Sequence, residues 1–115
     1  MNKNIISLAI FCLLACGETT TELPNNIMPT DKMVEIMVDL QLIEGIIAVR
    51  DTKPEEVNAY YQSIFDKYQI SREILDKNIQ YYSERPEILE AIYQEIITEL
   101  SKKQAKVENE TPPNN

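Results

Sequence analysis

Between residues 30 and 103, apolar side chains recur every three or four positions, in four blocks separated by short breaks. That spacing lines them along one side of a 3.6-residue helix. The first block follows Pro29, with Thr30 or Asp31 as the expected N-cap, and runs to about Arg50. "DTKP" breaks it. The second starts near Pro54, a residue suited to a first helical turn, and ends near Tyr68. Glu55 and Glu56 favour its dipole. Ser71 is expected to cap a short third helix ending near Tyr82, and Pro86 to open a fourth that runs to about Lys103. No segment alternates with period two, so no strand is predicted. The predicted fold class is all-α, a small bundle of about four short helices.

Stepping each helix at 100° per residue gives its faces. The second carries Val57, Tyr61, Ile64, Phe65 and Tyr68; the third Leu75, Ile79 and Tyr82; the fourth Leu89, Ile92, Tyr93, Ile96 and Leu100. These are the expected core faces. The first helix has two stripes. One is Met33, Ile36, Met37, Leu40, Ile43 and Ile47; the other, roughly opposite, is Val38, Leu42, Ile46 and Val49. A helix apolar on two sides is either central to its fold or docks on a partner, and both readings stand at this point.

The flanks follow different rules. Residues 1–15 read as an export signal: Lys3 and the amino terminus give a positive start, and "IISLAIFCLL" an apolar stretch too short to span a bilayer. Leu13-Leu14-Ala15-Cys16 resembles a bacterial lipobox, in which the thiol takes diacylglycerol and the chain is cut before the cysteine. Cys12 does not fit, because bulky Phe11 precedes it. Residues 16–29, rich in Thr, Asn and Pro, are expected to form a flexible tether, and residues 104–115 a disordered tail. The folded domain is therefore placed at 30–103.

Composition narrows the function. The chain has 11 basic and 19 acidic residues, a net charge of −8, and no basic patch, so nucleic acid is not an expected partner. It contains no His. The commonest general base and the usual zinc ligand are thus missing, and no Ser–His or Cys–His nucleophile can be built. No metal or cofactor is expected beyond a covalent lipid on Cys16. Glu44 falls on the first helix's main stripe, where it is expected either to accept a hydrogen bond in the core or to serve as a functional carboxylate. Asp39 is a second candidate buried polar group, although with Glu35 it reads better as part of a solvated face. All six tyrosines lie in 60–93, and Tyr60 and Tyr81 at stripe edges are candidate contact residues beside Ile74 and Ile88.

"MVDLQLIEG" and "IFDKYQISREILDKNIQYYSERPEILEAIYQEI" carry a wider resemblance. With the lipoprotein signal, they resemble a Bacteroidota family of short lipoproteins built on a domain of unknown function numbered 4296. The matching positions are Asp39, Leu40, Leu42 and Glu44 early, then Tyr68, Ile70, Ser71, Tyr81 and Tyr82. Asn78 departs from the small hydroxyl residue expected there. The resemblance implies location and fold, with no established activity. Gly17 after the cysteine tilts towards the outer membrane, and the lone nearby acid Glu18 favours its periplasmic face over the cell surface. The expectation is a membrane-anchored, non-catalytic envelope lipoprotein that binds another envelope protein. Its interaction surface would be Val38, Leu42, Ile46 and Val49 with Tyr60 and Tyr81. The alternative is a chaperone-like or carrier module with a Met-bearing apolar groove.

Overall fold

The computed structural model describes residues 23–111; the signal segment, Cys16 and residues 112–115 lie outside the described residues. Four helices follow one another: α1 (Thr30–Val49), α2 (Pro54–Tyr68), α3 (Arg72–Ser83) and α4 (Pro86–Glu110). No strand occurs among the described residues, and the protein is a small all-α bundle.

Local chemistry explains the boundaries. Pro29, rather than Thr30 or Asp31, occupies the N-cap of α1, and Thr30 is its first residue. Pro54 opens α2, and the Glu56 carboxylate accepts from the Lys53 N–H at 3.4 Å. Ser71 Oγ accepts from the Ile74 N–H at 3.2 Å, the expected N-cap of α3. Gln69 ends α2 with φ 53°, the left-handed conformation that commonly terminates helices.

The long first helix is central, flanked by α2 and α4, while α3 packs on α4. α1 and α2 form an antiparallel hairpin, so that Ile36 and Leu40 meet Ile64 and, from α3, Leu75. α1 and α4 run side by side in the same direction. Thr30 and Val34 lie near Ala91 and Ile92, and further along Val38 joins Ile96 in a cluster closed by Tyr82.

The core occupies one end of this bundle. Every buried residue of α1 lies between Met33 and Leu40, and residues 101–110 of α4 are exposed throughout. Short helices are stable mainly through such packing, so the opposite, distal end relies on continuity with the base. Gly45 lies in that distal half, and a Cβ built on it meets nothing within 4 Å. Gly45→Ala is therefore expected to raise the unfolding free energy by about 0.5–1 kcal/mol, read from urea denaturation followed by circular dichroism.

Both expected domain limits need correction. Residues 24–29 are not tether: the Ile27 N–H bonds the Pro24 carbonyl at 3.1 Å, and Ile27 is buried. Residues 104–110 are not a disordered tail but the last turns of α4. Gln104–Glu108 and Lys106–Glu110 pairs, spaced four apart, support those turns.

Candidate functional site

A buried amide holds the chain's entry segment on the bundle. Asn78 of α3 is fully buried. Its Oδ1 accepts from the Met28 N–H at 2.7 Å, and its Nδ2 donates to the carbonyls of Asn26 at 2.7 Å and Ile74 at 2.8 Å. One turn on, the Tyr82 hydroxyl donates to the Met28 carbonyl. Burial, then the adjacent Tyr81, push the Tyr82 hydroxyl above its ordinary pKa, so it stays a donor. Asn78 and Tyr82 thus satisfy backbone groups of residues 26–28, which no helix or sheet serves. In the sequence Asn78 stands out only as a departure from the family pattern, yet a stronger signal exists: 75, 78 and 82 share a helix face, so an amide sits in the middle of an apolar stripe.

A second polar cluster clasps α1 to α2. Asp39 Oδ2 accepts from Lys67 Nζ at 2.6 Å and from the Tyr68 hydroxyl at 2.7 Å. Lys32 and Lys67 lie over the Tyr68 ring, 4.9 and 5.1 Å from its centre. Partial burial works to raise the Asp39 pKa, but the hydrogen bonds from Lys67 and Tyr68 outweigh it and hold the carboxyl below its ordinary value. The same carboxylate, after burial, pushes Tyr68 upward. A depressed carboxyl pKa stabilises the fold above the unfolded-state value and loses that stabilisation as pH falls through the folded value. Acid unfolding should therefore be milder in Asp39→Asn than in the parent below about pH 4, with the parent more stable by about 0.5–1 kcal/mol at pH 7. Urea midpoints at pH 3 and pH 7 read both.

The structure treats the remaining candidates unequally. Glu44 is exposed, not buried, because its position on α1 falls beyond the reach of α3. Glu35 pairs with Lys32 on the surface at 3.4 Å. Asp39 is only partly buried, as a clasp rather than a core group. Tyr60 is half-buried. Tyr81 packs edge-on against Tyr82, 5.1 Å between centres, and its other face is covered by the Arg85 guanidinium at 3.6 Å. Tyr81 is half-buried, so part of its ring stays accessible beside these contacts within its own chain.

The second stripe of α1 divides along its length. Val38 is buried against α4, so it does not belong to any docking surface. Ile46 is half-buried, while Leu42 and Val49 are 41% and 84% exposed. Leu42, Gly45 and Val49 follow Val38 on one face of α1, and the missing Gly45 side chain leaves a notch between the two exposed apolar residues. Two of the residues expected in the cores of α3 and α4, Ile79 and Tyr93, are also substantially exposed, at 42% and 51%. Asn78, not Ile79, faces inward.

A small groove does lie between α1, α3 and α4, lined by Met33, Met37, Ile79, Tyr93 and Ile96 among others, with a volume of about 60 Å³. No cluster of three metal-ligating side chains occurs among the described residues. No helix among them is long and apolar enough to cross a membrane.

These features define a small all-α domain with a pinned entry segment at its packed end and an uncovered apolar stripe at the other. The chain belongs to the family described as a domain of unknown function (DUF4296), whose model matches residues 24–106. That match begins at Pro24, where the docked segment begins. No curated protein and no solved structure matches the chain.

Proposed function

We propose that the protein is a membrane-anchored envelope lipoprotein, held through a lipid on Cys16, whose helical domain acts as a non-catalytic protein-interaction module. The anchor rests on the sequence Leu13-Leu14-Ala15-Cys16 and its short apolar run. Each buried CH₂ of an acyl chain contributes about 0.8 kcal/mol, so the two or three chains of a lipoprotein give lasting attachment. The outer membrane, at its periplasmic face, and a Bacteroidota source complete this reading, on Gly17, Glu18 and the family resemblance.

The observation that carries the interaction role is the stripe of exposed Leu42 and Val49, with half-buried Ile46 beside them, on the helix that is otherwise central to the core. Its partner would be another envelope protein. The placement suits this role. The chain enters the domain at Pro24, beside α3, and the stripe lies at the distal end of α1, a helix of 20 residues and therefore about 30 Å long. Residues 17–23 span at most roughly 25 Å. A domain held at that end would carry its apolar stripe away from the bilayer.

A carrier module is the weaker reading. The Met-bearing groove, at about 60 Å³, is several-fold smaller than the roughly 300–1,000 Å³ of pockets that enclose small molecules.

Two measurements test the proposal. Metabolic labelling with a fatty-acid probe should mark the parent chain and not Cys16→Ala; label that persists in the variant refutes the anchor. A photo-crosslinking residue placed at Val49 in the living envelope should trap one defined protein species. The same residue at exposed Glu73 of α3 should not. Equal products from both positions would refute the stripe as a docking surface.

A further inference from the structure

We infer that α4 pairs in parallel with α4 of a second copy of this chain, through a short two-stranded coiled coil. Tyr93, Ile97, Leu100, Gln104 and Val107 are spaced four, three, four and three residues apart, the alternation that keeps one seam of a helix facing a partner helix. Tyr93, Ile97 and Val107 are 51%, 57% and 63% exposed. Leu100 is half-buried, so it faces both the core and the seam. This flank of α4 is separate from the distal α1 stripe, so the inference stands apart from the proposed partner surface.

The occupant follows from self-complementarity. In heptad terms Ile97 and Gln104 take the a positions, and Tyr93, Leu100 and Val107 the d positions. Gln104 then meets its own equivalent across a two-fold axis, and a polar a residue of this kind sets register and favours a pair of strands at some cost in stability. Lys103 takes a g position and Glu108 an e position. In a parallel pair Lys103 faces Glu108 of the partner subunit, and symmetry repeats the contact. In an antiparallel pair centred on Leu100, Lys103 meets no acidic e or g residue. Within one chain Lys103 and Glu108 are five apart and do not face each other. Glu108 now accepts from Gln104 at 3.0 Å through Oε1, which leaves its other oxygen for the cross-chain lysine. Exposed Ile79 of α3 lines the same groove as Tyr93 and extends the apolar surface at the base.

Residues 93–107 span only about 22 Å, roughly two heptads, where sustained coiled coils use three or four. Association is therefore weak in dilute solution. Copies fixed on one membrane meet at effective concentrations of order millimolar, and a parallel pair is the arrangement that two chains anchored at the same end can form. This last point rests on the proposed lipid anchor; the pairing itself does not.

Disulfide trapping of the full chain in its own membranes tests the inference. Residues at a positions of a parallel pair bring their Cβ atoms within disulfide range, whereas an outer-face residue does not, so Gln104→Cys should form dimer at least about tenfold faster than Lys102→Cys. The parent chain sets the background from its own cysteines. In the Gln104→Cys chain, Lys103→Glu or Glu108→Lys alone should slow trapping about threefold, and the two together should restore it. An effect arising only from Lys103 near Asp39 would not be restored by Lys at 108. Trapping at 104 no faster than at 102, trapping to a different protein, or a double swap as slow as the single swaps would each overturn the pairing. Fatty-acid labelling of the same membranes reports the anchor separately, so failure of one reading is distinguishable from failure of the other.

Discussion

Asn78→Ala is expected to lower the unfolding free energy by about 2–4 kcal/mol, one of the largest single effects available in this domain. The side chain is fully buried and makes three hydrogen bonds of 2.7, 2.7 and 2.8 Å. Alanine removes the acceptor for the Met28 N–H and the donor for the Asn26 carbonyl together, and a buried backbone group left without a partner costs about 1–3 kcal/mol. The Ile74 carbonyl loses less, because it keeps its place in the α3 helix ladder. Leucine would refill the volume yet leave the same groups unpaired, so Asn78→Leu should recover only part of the loss. Aspartate would keep an acceptor for Met28 but set a carboxylate against the Asn26 carbonyl, and should be no better than alanine at pH 7. Urea denaturation followed by circular dichroism reads the stability. Amide hydrogen exchange at Ile27 and Met28 reads the mechanism: it should rise in Asn78→Ala by more than exchange in the middle of α1. Uniform acceleration across the domain, with no excess at residues 27 and 28, would mean that Asn78 acts on α3 rather than on the entry segment.

The helices were legible because apolar spacing and caps agreed. Pro54, Ser71 and Pro86 each mark a start that the structure keeps, and period 3.6 has no competitor in this chain. The depth of each face was less legible. A helical wheel treats every turn as equal, but here the core occupies one end of the bundle. Glu44, Leu42 and Val49 therefore fall on faces that are buried near Val38 and open one to three turns later. Apolarity alone runs the stripe of α3 through Ile79, whereas the face that packs runs through Asn78. Period alone could not choose between neighbours 100° apart; the partners that choose are residues 26–28, fifty or more positions away along the chain.

Composition misled at both ends for one reason. "LPNNIMP" has no helical period and is rich in Pro and Asn, the mark of a segment without secondary structure. A segment without secondary structure can still be fixed when side chains serve its backbone groups, which is what Asn78 and Tyr82 do. At the other end, "KVENE" lacks an apolar face, yet spacing of four between Lys106 and Glu110 supports helix without one. The folded unit is longer than its hydrophobic pattern in both directions. The uncovered stripe of α1 and the seam of α4 are then two separate surfaces, one near the distal end and one along the flank.

Tyr82→Ala is expected to cost about 3–5 kcal/mol, enough to bring so small a domain near its unfolding midpoint. Tyr82 is 2% exposed and belongs to the cluster that joins Ile27, Met33, Val38, Ile92 and Ile96. Truncation opens a ring-sized cavity under α1 and α4, and the surroundings relax only in part. Tyr82→Phe separates packing from the hydroxyl. It keeps the ring and its edge contact with Tyr81, and removes only the donor to the Met28 carbonyl, for a loss of about 1 kcal/mol. If the hydroxyl acts by pinning residues 26–28, its loss should be smaller once that segment is already released. In a cycle with Asn78→Ala, the double variant should therefore be less destabilised than the sum of the single changes by at least about 0.5 kcal/mol. Strict additivity would show that Asn78 and Tyr82 stabilise α3 independently, and the entry segment would then be a passive neighbour rather than the element that couples them. Sub-additivity, with Tyr82→Ala the most destabilised single variant, identifies residues 24–29 as a structural part of the domain.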